Sequence, residues 1–406
     1  MNKIISHTLV YLFFDGINKL IPFILLPYLT HHLPTVSFGN LELFNTYIAI
    51  TIIIISFGLD GWCSSQYYST KKKAFGTKIK FGLFVSLAIS LSLFILLYLY
   101  TGSLLIALSP IYSLLSFIIQ LRALTFRLSL KILKASAILF LNIAISTILT
   151  VYLFRNYEES VFSRIISLFI PLIGLSLFSL LSLIKEYKIS LLKIKKDKSL
   201  ELMTFVLPLV PHGLLNFIKS GADKLVIAKY YGIEILAIFS VGYQFSMVLN
   251  IFMLSLNQAT MPFLFKALSE KNIRKYISHS ICILLLFFIL FVISFRFISP
   301  YIFSNLFSPE YRGSLDIFNS YSYSYPIIFT YILLQNVLFF LGKTKKILFI
   351  TSCSSAFHLA IIMYISTKHL PLVYAPYALL ASALVTLILT LVLLYKSKEN
   401  HDDCKK

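Results

Sequence analysis

The sequence predicts an all-α integral membrane protein: twelve transmembrane helices in two six-helix bundles, related by a pseudo-two-fold along the membrane normal, around a central cavity. Four observations predict it. Of 406 residues, 58% are apolar, 16% aromatic and only 13% charged, about half the charged fraction of a soluble domain. Mean hydropathy of +0.86 leaves too little polar surface to face water. Apolar stretches of about 20 residues, enough to cross a bilayer core of about 30 Å as helix, recur along the whole chain. The basic residues sort into alternate loops. A soluble enzyme, a disordered chain and a nucleic-acid-binding domain are thereby excluded.

The twelve spans fall at 7–29, 38–59, 81–99, 103–121, 135–154, 161–184, 203–228, 235–260, 277–298, 317–341, 347–367 and 371–395. The fifth, ASAILFLNIAISTILTVYLF, has no charge, and 235–265 is also uncharged and long enough to continue past the membrane. The first and seventh contain charges. The first stretch is too long for a signal peptide, has no small-residue cleavage site and is soon followed by a second span. With the N-terminus in the cytoplasm, inner segments hold 27 Lys and Arg and outer segments hold four. By the positive-inside rule both termini are cytoplasmic. The net charge of +20 is then mostly a topology signal, with a share left to hold anionic lipid headgroups and none required for nucleic acid.

The inner segment 185–200, KEYKISLLKIKKDKSL, is the natural joint between halves, an amphipathic surface helix with Ile189, Leu192 and Ile194 toward the membrane. The expected organisation is an N-terminal six-helix bundle over 1–184, a basic cytoplasmic linker over 185–200, a C-terminal six-helix bundle over 201–395 and a cytoplasmic tail over 396–406. Cys63, Cys282, Cys353 and Cys404 are widely separated, and nothing near His31-His32 completes a zinc site. No metal, cofactor or disulfide framework is expected. Outer loops carry no catalytic cluster and no G-x-x-x-x-G-K-[ST] pattern occurs, so an enzyme is not expected.

Five basic residues remain inside spans: Lys19, Arg164, Lys219, Lys224 and Arg296. Arg164 and Arg296 lie near outer helix ends, where they can snorkel. Lys19 is near the middle of its span, Lys219 about 5 Å and Lys224 about 12 Å beyond the middle of theirs at 1.5 Å per residue. A charge at that depth costs several kcal/mol unless paired or wetted. These lysines occur only in the opening spans of the two halves. Asp15 and Lys19 share a helical face with Asn18 and Pro22; Asn216, Lys219, Ser220 and Asp223 form a similar face; Glu42 lies near the outer end of span 2. Both opening spans carry two prolines, Pro22 and Pro27, then Pro208 and Pro211. Interrupted spans at matching places in two halves point to a transporter's binding site.

Two readings of these charges stand side by side. Asp15–Lys19 and Lys219–Asp223 are either closed structural salt bridges or part of a hydrated cavity. Three lysines against Asp15 and Asp223 leave a positive excess, which suits an anionic ligand. Lys19, Lys219, Lys224, Asn18 and Asn216 are the candidate binding residues, with Asp15, Asp223 and Glu42 as candidate ion-coupling or charge-balancing groups. Asn142, Gln244, Asn250, Asn257, Gln258, Gln335, Asn336 and His358 read as hydrogen-bond partners between helices. YSYSYP at 321–326 offers either stacking faces for sugar rings or ordinary packing. A gap-free internal alignment pairs 31–47 with 229–245 at an offset of 198, consistent with a parallel repeat.

Residues 17–50, INKLIPFILLPYLTHHLPTVSFGNLELFNTYIAI, with FGLDGWCSSQYYS at 57–69, resemble the opening of the bacterial polysaccharide-unit flippases. These are the O-antigen and capsule repeat-unit transporters of the multidrug/oligosaccharidyl-lipid/polysaccharide exporter superfamily. Residues 207–265 and 308–346, from SPEYRGSLDIF to LFFLGKTKK, are similar to later parts of that family. The resemblance implies alternating access in the bacterial inner membrane. Its implied substrate is an undecaprenyl-diphosphate-linked oligosaccharide, with membrane lipid and polysaccharide polymerase machinery as partners and a monomeric state. Where many relatives carry arginine, this chain has lysine at 19, 219 and 224, favouring point-charge attraction over bidentate phosphate binding. A cation-coupled multidrug antiporter of the same superfamily calls for an acidic cavity. A membrane glycan polymerase calls for a large outer loop with paired charges.

Overall fold

Residues 2–188, 202–269 and 273–403 are described in a computed structural model of the chain. The side chains of 2–15, Lys19, Pro262, Ser269, 273–281, Thr344 and 396–403 lie outside that description. So do linker residues 189–200 and tail residues 404–406.

The described fold is helical and contains no strand. Eleven stretches among the described residues are long and apolar enough to cross a membrane. Helix α1 (Asn2–His32, 31 residues) stands where the first span is expected. It is followed by α2 (Thr35–Ser56), a short α3 (Leu59–Gln66), α4 (Lys72–Thr101), α5 (Leu104–Ala107), α6 (Ser109–Leu128), α7 (Ile132–Asn156) and α8 (Val161–Tyr187). After the linker, 202–206 is helical. Then come α9 (Leu209–Ser220), α10 (Ala222–Tyr230), α11 (Ile233–Ser269), α12 (Ile273–Leu306), α13 (Ser314–Ser322), α14 (Ser324–Phe340), α15 (Thr344–Thr367) and α16 (Tyr377–Asp403).

The chain divides into two compact units, Met1–Leu214 and Leu215–Lys406. In the first, Leu202 and Val206 join a core of Phe57, Leu59, Trp62, Phe75, Phe117 and Tyr187. The start of the seventh span thus packs with the helices that precede the linker. In the second unit Phe245 is ringed by Phe295, Phe303, Phe307 and Phe318, with centroids 4.9–6.0 Å away.

Beside these apolar cores, some helices bury a face of small residues and turn large apolar ones outward. On α4, Gly82, Ser86 and Ser90 are buried, while Phe84, Leu87, Leu91 and Ile95 are exposed. Lipid is as apolar as leucine, so close packing and hydrogen bonds bring spans together. Ser86 Oγ donates to the Ile55 carbonyl at 2.7 Å and Ser90 Oγ to that of Pro110 at 3.0 Å.

Loops expected on one side of the membrane meet within each unit. Tyr68 donates to the Leu128 carbonyl, joining two basic loops. At the other end of that unit, His32 Nδ1 lies 2.7 Å from Glu159 Oε1. In the second unit Tyr231 donates to the carbonyls of Leu370 and Ile365 at 2.6 and 3.2 Å. The offset of 198 also holds at two helix boundaries: α1 ends at His32 and α10 at Tyr230, α2 begins at Thr35 and α11 at Ile233.

Two expectations need correction. The paired prolines do not interrupt both opening spans. Pro22 and Pro27 lie inside the continuous α1, whereas the seventh span is broken near Pro208 and again at Gly221. Arg164 does not snorkel. Its guanidinium turns inward to donate to Thr150 and Ser167 hydroxyls on neighbouring α7 and α8, because two buried hydroxyls offer what the headgroup region otherwise would.

Candidate functional site

The break at Gly221 builds the first candidate site, in the second unit. Gly221 has φ −151° and separates α9 from α10. A Cβ there would lie 2.5 Å from the Phe217 ring, so a larger residue requires that ring to shift. The turn leaves Asp223 and Lys224 buried, at 4% and 9% exposure, in the first turn of α10.

Asp223 is held from two helices. His358 Nε2 on α15 lies 2.7 Å from Oδ1, and the Tyr321 hydroxyl on α13 donates to Oδ2 at 3.1 Å. Ser382 Oγ on α16 stands 3.5 Å from His358 Nδ1. A carboxylate accepts at both oxygens and an imidazole bonds through both nitrogens, so each Asp223 oxygen and each His358 nitrogen has a neighbour here.

Lys219, one turn before Asp223, does not pair with it. Its ammonium donates to Thr386 Oγ1 at 3.4 Å, and no carboxylate pairs with it among the described residues. Thr386 in turn donates to the Ser382 carbonyl at 2.8 Å. Lys224 Nζ sits 5.2 Å from the centroid of the Tyr243 ring. Tyr243 packs 5.4 Å from Tyr321 and donates to the Ser220 carbonyl at 2.6 Å. Lysines, tyrosines and the Asp223–His358 pair therefore form one connected layer.

The first unit holds Asn18 in a cavity of about 360 Å³ with Ser116, Gln120, Arg127, Leu139 and Asn142. A second cavity of about 210 Å³, lined by Ser56, Asp60, Ser64 and Phe117 among others, shares Gln120 and Arg127 with the first. The side chains of Asp15 and Lys19 lie outside the described residues. Glu42 is buried and accepts from Asn45 Nδ2 at 3.0 Å on its own helix; it lines neither cavity. Asn216 is exposed on α9, and the 198-residue offset makes it the counterpart of Asn18.

Asp223, Lys219 and Lys224 lie on either side of the Gly221 break, and their partners are His358, Tyr321, Tyr243 and Thr386 rather than one another. A lone histidine inside an apolar span was the available signal for His358. Asn336 and Asn257 do bond between helices, at 2.7 Å. Among the described residues no group of three His, Cys, Asp or Glu could hold a metal ion.

A family model described as polysaccharide biosynthesis protein matches residues 4–268, and one described as MatE matches 208–365. A Haemophilus influenzae protein called Lsg locus putative protein 1 is 24% identical over 385 residues, covering 93% of this chain and 94% of its own. Among solved structures, the lipid II flippase MurJ in an inward closed conformation aligns with a TM-score of 0.73 at 14% identity, over 96% of this chain and 87% of that one. An inward-facing multidrug resistance MATE family transporter of the MOP superfamily gives 0.71 at 13%, over 94% and 96%. Those two likenesses establish a shared fold.

Proposed function

From the premise that this chain belongs to the polysaccharide biosynthesis protein family, we propose that it is a flippase. It carries undecaprenyl-diphosphate-linked oligosaccharide repeat units, O-antigen or capsule, from the cytoplasmic to the outer leaflet of the bacterial inner membrane by alternating access. The single observation behind the reading is Lys219. It is a cation within a span, bonded to a neutral hydroxyl, while the nearest acid on its helix face is committed to His358. A charge left without a counter-ion at that depth is costly, and an anionic headgroup supplies one. Diphosphate is such a group, and it cannot cross hydrocarbon unaided.

In this reading Lys219 and Lys224 attract the diphosphate, Lys19 is a further basic residue for it, and the prenyl chain remains in lipid. Asn18 and Asn216 meet the sugar. Asp15, Asp223 and Glu42 balance charge or couple an ion. Both termini are cytoplasmic. An inside-negative potential favours outward movement of an anion by about 2.3 kcal/mol per charge per 100 mV. The protein works as a monomer amid membrane lipid, delivering to polysaccharide polymerase machinery.

The MatE match over 208–365 favours a second reading, a cation-coupled drug antiporter. A cationic drug would meet Lys219 with repulsion, and Asp223 is already engaged by His358 and Tyr321. Reconstitution into proteoliposomes separates the two. Flippase activity moves a labelled diphosphate-linked oligosaccharide to the opposite leaflet, and antiport moves a lipophilic cation against a proton or sodium gradient. Cation movement without glycolipid movement would overturn the proposal.

A further inference from the structure

The cavity of the first unit carries an observation that the lysines do not explain. Asn18 on α1 and Asn142 on α7 both line it, and the Oδ1 atom of each is shielded from solvent without a hydrogen-bond donor. An amide buried that way forfeits about 1–3 kcal/mol. Some polar side chains inside the spans satisfy each other, Thr51 with Ser113 at 2.8 Å, Thr150 with Ser167 at 2.8 Å and Asn336 with Asn257 at 2.7 Å, while others, Asn319 Oδ1 and Ser240 Oγ among them, also lack a partner but line neither described cavity. Two starved amides on the wall of one cavity are a different arrangement.

The amide torsion of asparagine is broad and roughly two-fold. Turning it exchanges the two ends, so either the carbonyl or the NH₂ group faces the cavity. Facing the carbonyl inward relieves the starvation when the occupant brings donors. Gln120 adds a third amide, whose Nε2 donates to Ser116 Oγ at 3.1 Å. The lining beside Arg127 is otherwise neutral. About 360 Å³ lies within the range of small-ligand sites and would take about ten waters.

We propose that Asn18, Gln120 and Asn142 form a sugar-binding subsite, in which the hydroxyls of one glycan residue replace water at the amides. A neutral occupant with donors and acceptors all round its ring is what three amides can grip. A cation would engage only the carbonyl oxygens and a diphosphate only the NH₂ groups and Arg127, whereas sugar hydroxyls use both ends of an amide. The second cavity, beyond the shared Gln120 and Arg127, extends the track toward Asp60 and Ser64 for a neighbouring sugar. This subsite rests on the flippase reading for its place in transport, but its affinity for sugar can be measured without transport.

The test places one thiol in the cavity. Leu139→Cys is introduced into the full-length chain with the native cysteines replaced, and purified in nanodiscs. The probe is the soluble oligosaccharide fraction released by mild acid from the glycolipids of the source organism. At ten times its dissociation constant a cavity ligand leaves about a tenth of the sites open, so maleimide alkylation should slow about tenfold. Adding Asn18→Leu and Asn142→Leu should abolish this protection and leave the sugar-free alkylation rate unchanged. If the leucines prevent folding, Asn18→Ser and Asn142→Ser should weaken protection severalfold. No protection by the oligosaccharides, or protection that survives loss of both asparagines, would overturn the subsite. Proteoliposomes that move no glycolipid while sugar still protects the thiol would sink the flippase reading and leave the subsite standing.

Discussion

Asp223 and His358 are 135 residues apart in the chain, yet Oδ1 and Nε2 lie 2.7 Å apart with both side chains shielded. The contact ties the helix after the Gly221 break to α15. It also explains why Lys219 turns to Thr386: the carboxylate it would otherwise face has another partner.

Removing one member of such a pair should be worse than removing both. An uncompensated buried charge costs about 3–5 kcal/mol, much of it recovered when the second partner is also neutralised. Asp223→Asn and His358→Gln should each lower the unfolding midpoint of the detergent-purified protein. The double variant should lie closer to wild type than the sum of the two. Additive losses in that cycle would mean the groups do not interact.

Charge replacement separates Lys219 and Lys224 from their surroundings. Lys219→Ala and Lys224→Ala should insert and purify normally but lose at least about tenfold in glycolipid transfer, a loss of about 1.4 kcal/mol in transition-state stabilisation. Arginine at either position keeps the charge and should be milder than glutamate, which reverses it. Tyr243→Phe keeps a ring beneath Lys224 and should be milder than Tyr243→Leu. Transfer at wild-type rates in both lysine variants would remove the site.

Close packing at Gly242 makes a prediction about stability alone. A Cβ there would lie 2.5 Å from the Ser314 carbonyl oxygen and 2.7 Å from Ile317 Cβ. Backbone on one side leaves little room to yield, so Gly242→Ala should force α11 and α13 apart. Overpacking of this kind costs about 1–3 kcal/mol. The variant should unfold at lower temperature and express less. Unchanged stability would show that the two helices separate freely.

The sequence displays the spans because about 20 apolar residues in helix have few other uses, and the register of the repeat because helix starts fall where loops must. It displays Lys219, Asp223 and Lys224 because charge inside a span is rare. It does not display which groups they meet. Tyr321 sits in a run of alternating tyrosine and serine whose local pattern fits packing as well as recognition, yet its hydroxyl reaches Asp223 from 98 residues away. Asn18 and Asn142 are both visible as polar residues in spans, but that their carbonyls lack partners is not. An unsatisfied amide is a property of three-dimensional surroundings, and residue spacing carries no trace of it. Prolines mislead in the other direction: α1 runs through Pro22 and Pro27, so a missing N–H does not by itself end a span.

Orientation gives the last prediction. Two basic loops of the first unit meet at Tyr68 and Leu128, and the sparsely charged ends meet at His32 and Glu159. Two of the basic residues on the crowded end are not surface charges at all. Arg122 is 3% exposed, pairs with Glu186 at 2.7 Å and lies over Phe126; Lys78 is 7% exposed and lies over Trp62. They count toward topology when the chain inserts and serve packing afterward, so the bias of 27 against four survives folding only in part. The positive-inside rule acts at insertion, and the full bias should therefore govern. Ser69 and Tyr157 are exposed at opposite ends of the unit. In a background without native cysteines, Tyr157→Cys should react with an impermeant maleimide in cells whose outer barrier alone is opened. Ser69→Cys should react only after the inner membrane is permeabilised. Cys63 is wholly buried with its thiol pushed up by burial, so it should stay unlabelled in either condition before it is replaced. The opposite labelling pattern would place the basic loops outside and reverse the direction proposed for transport.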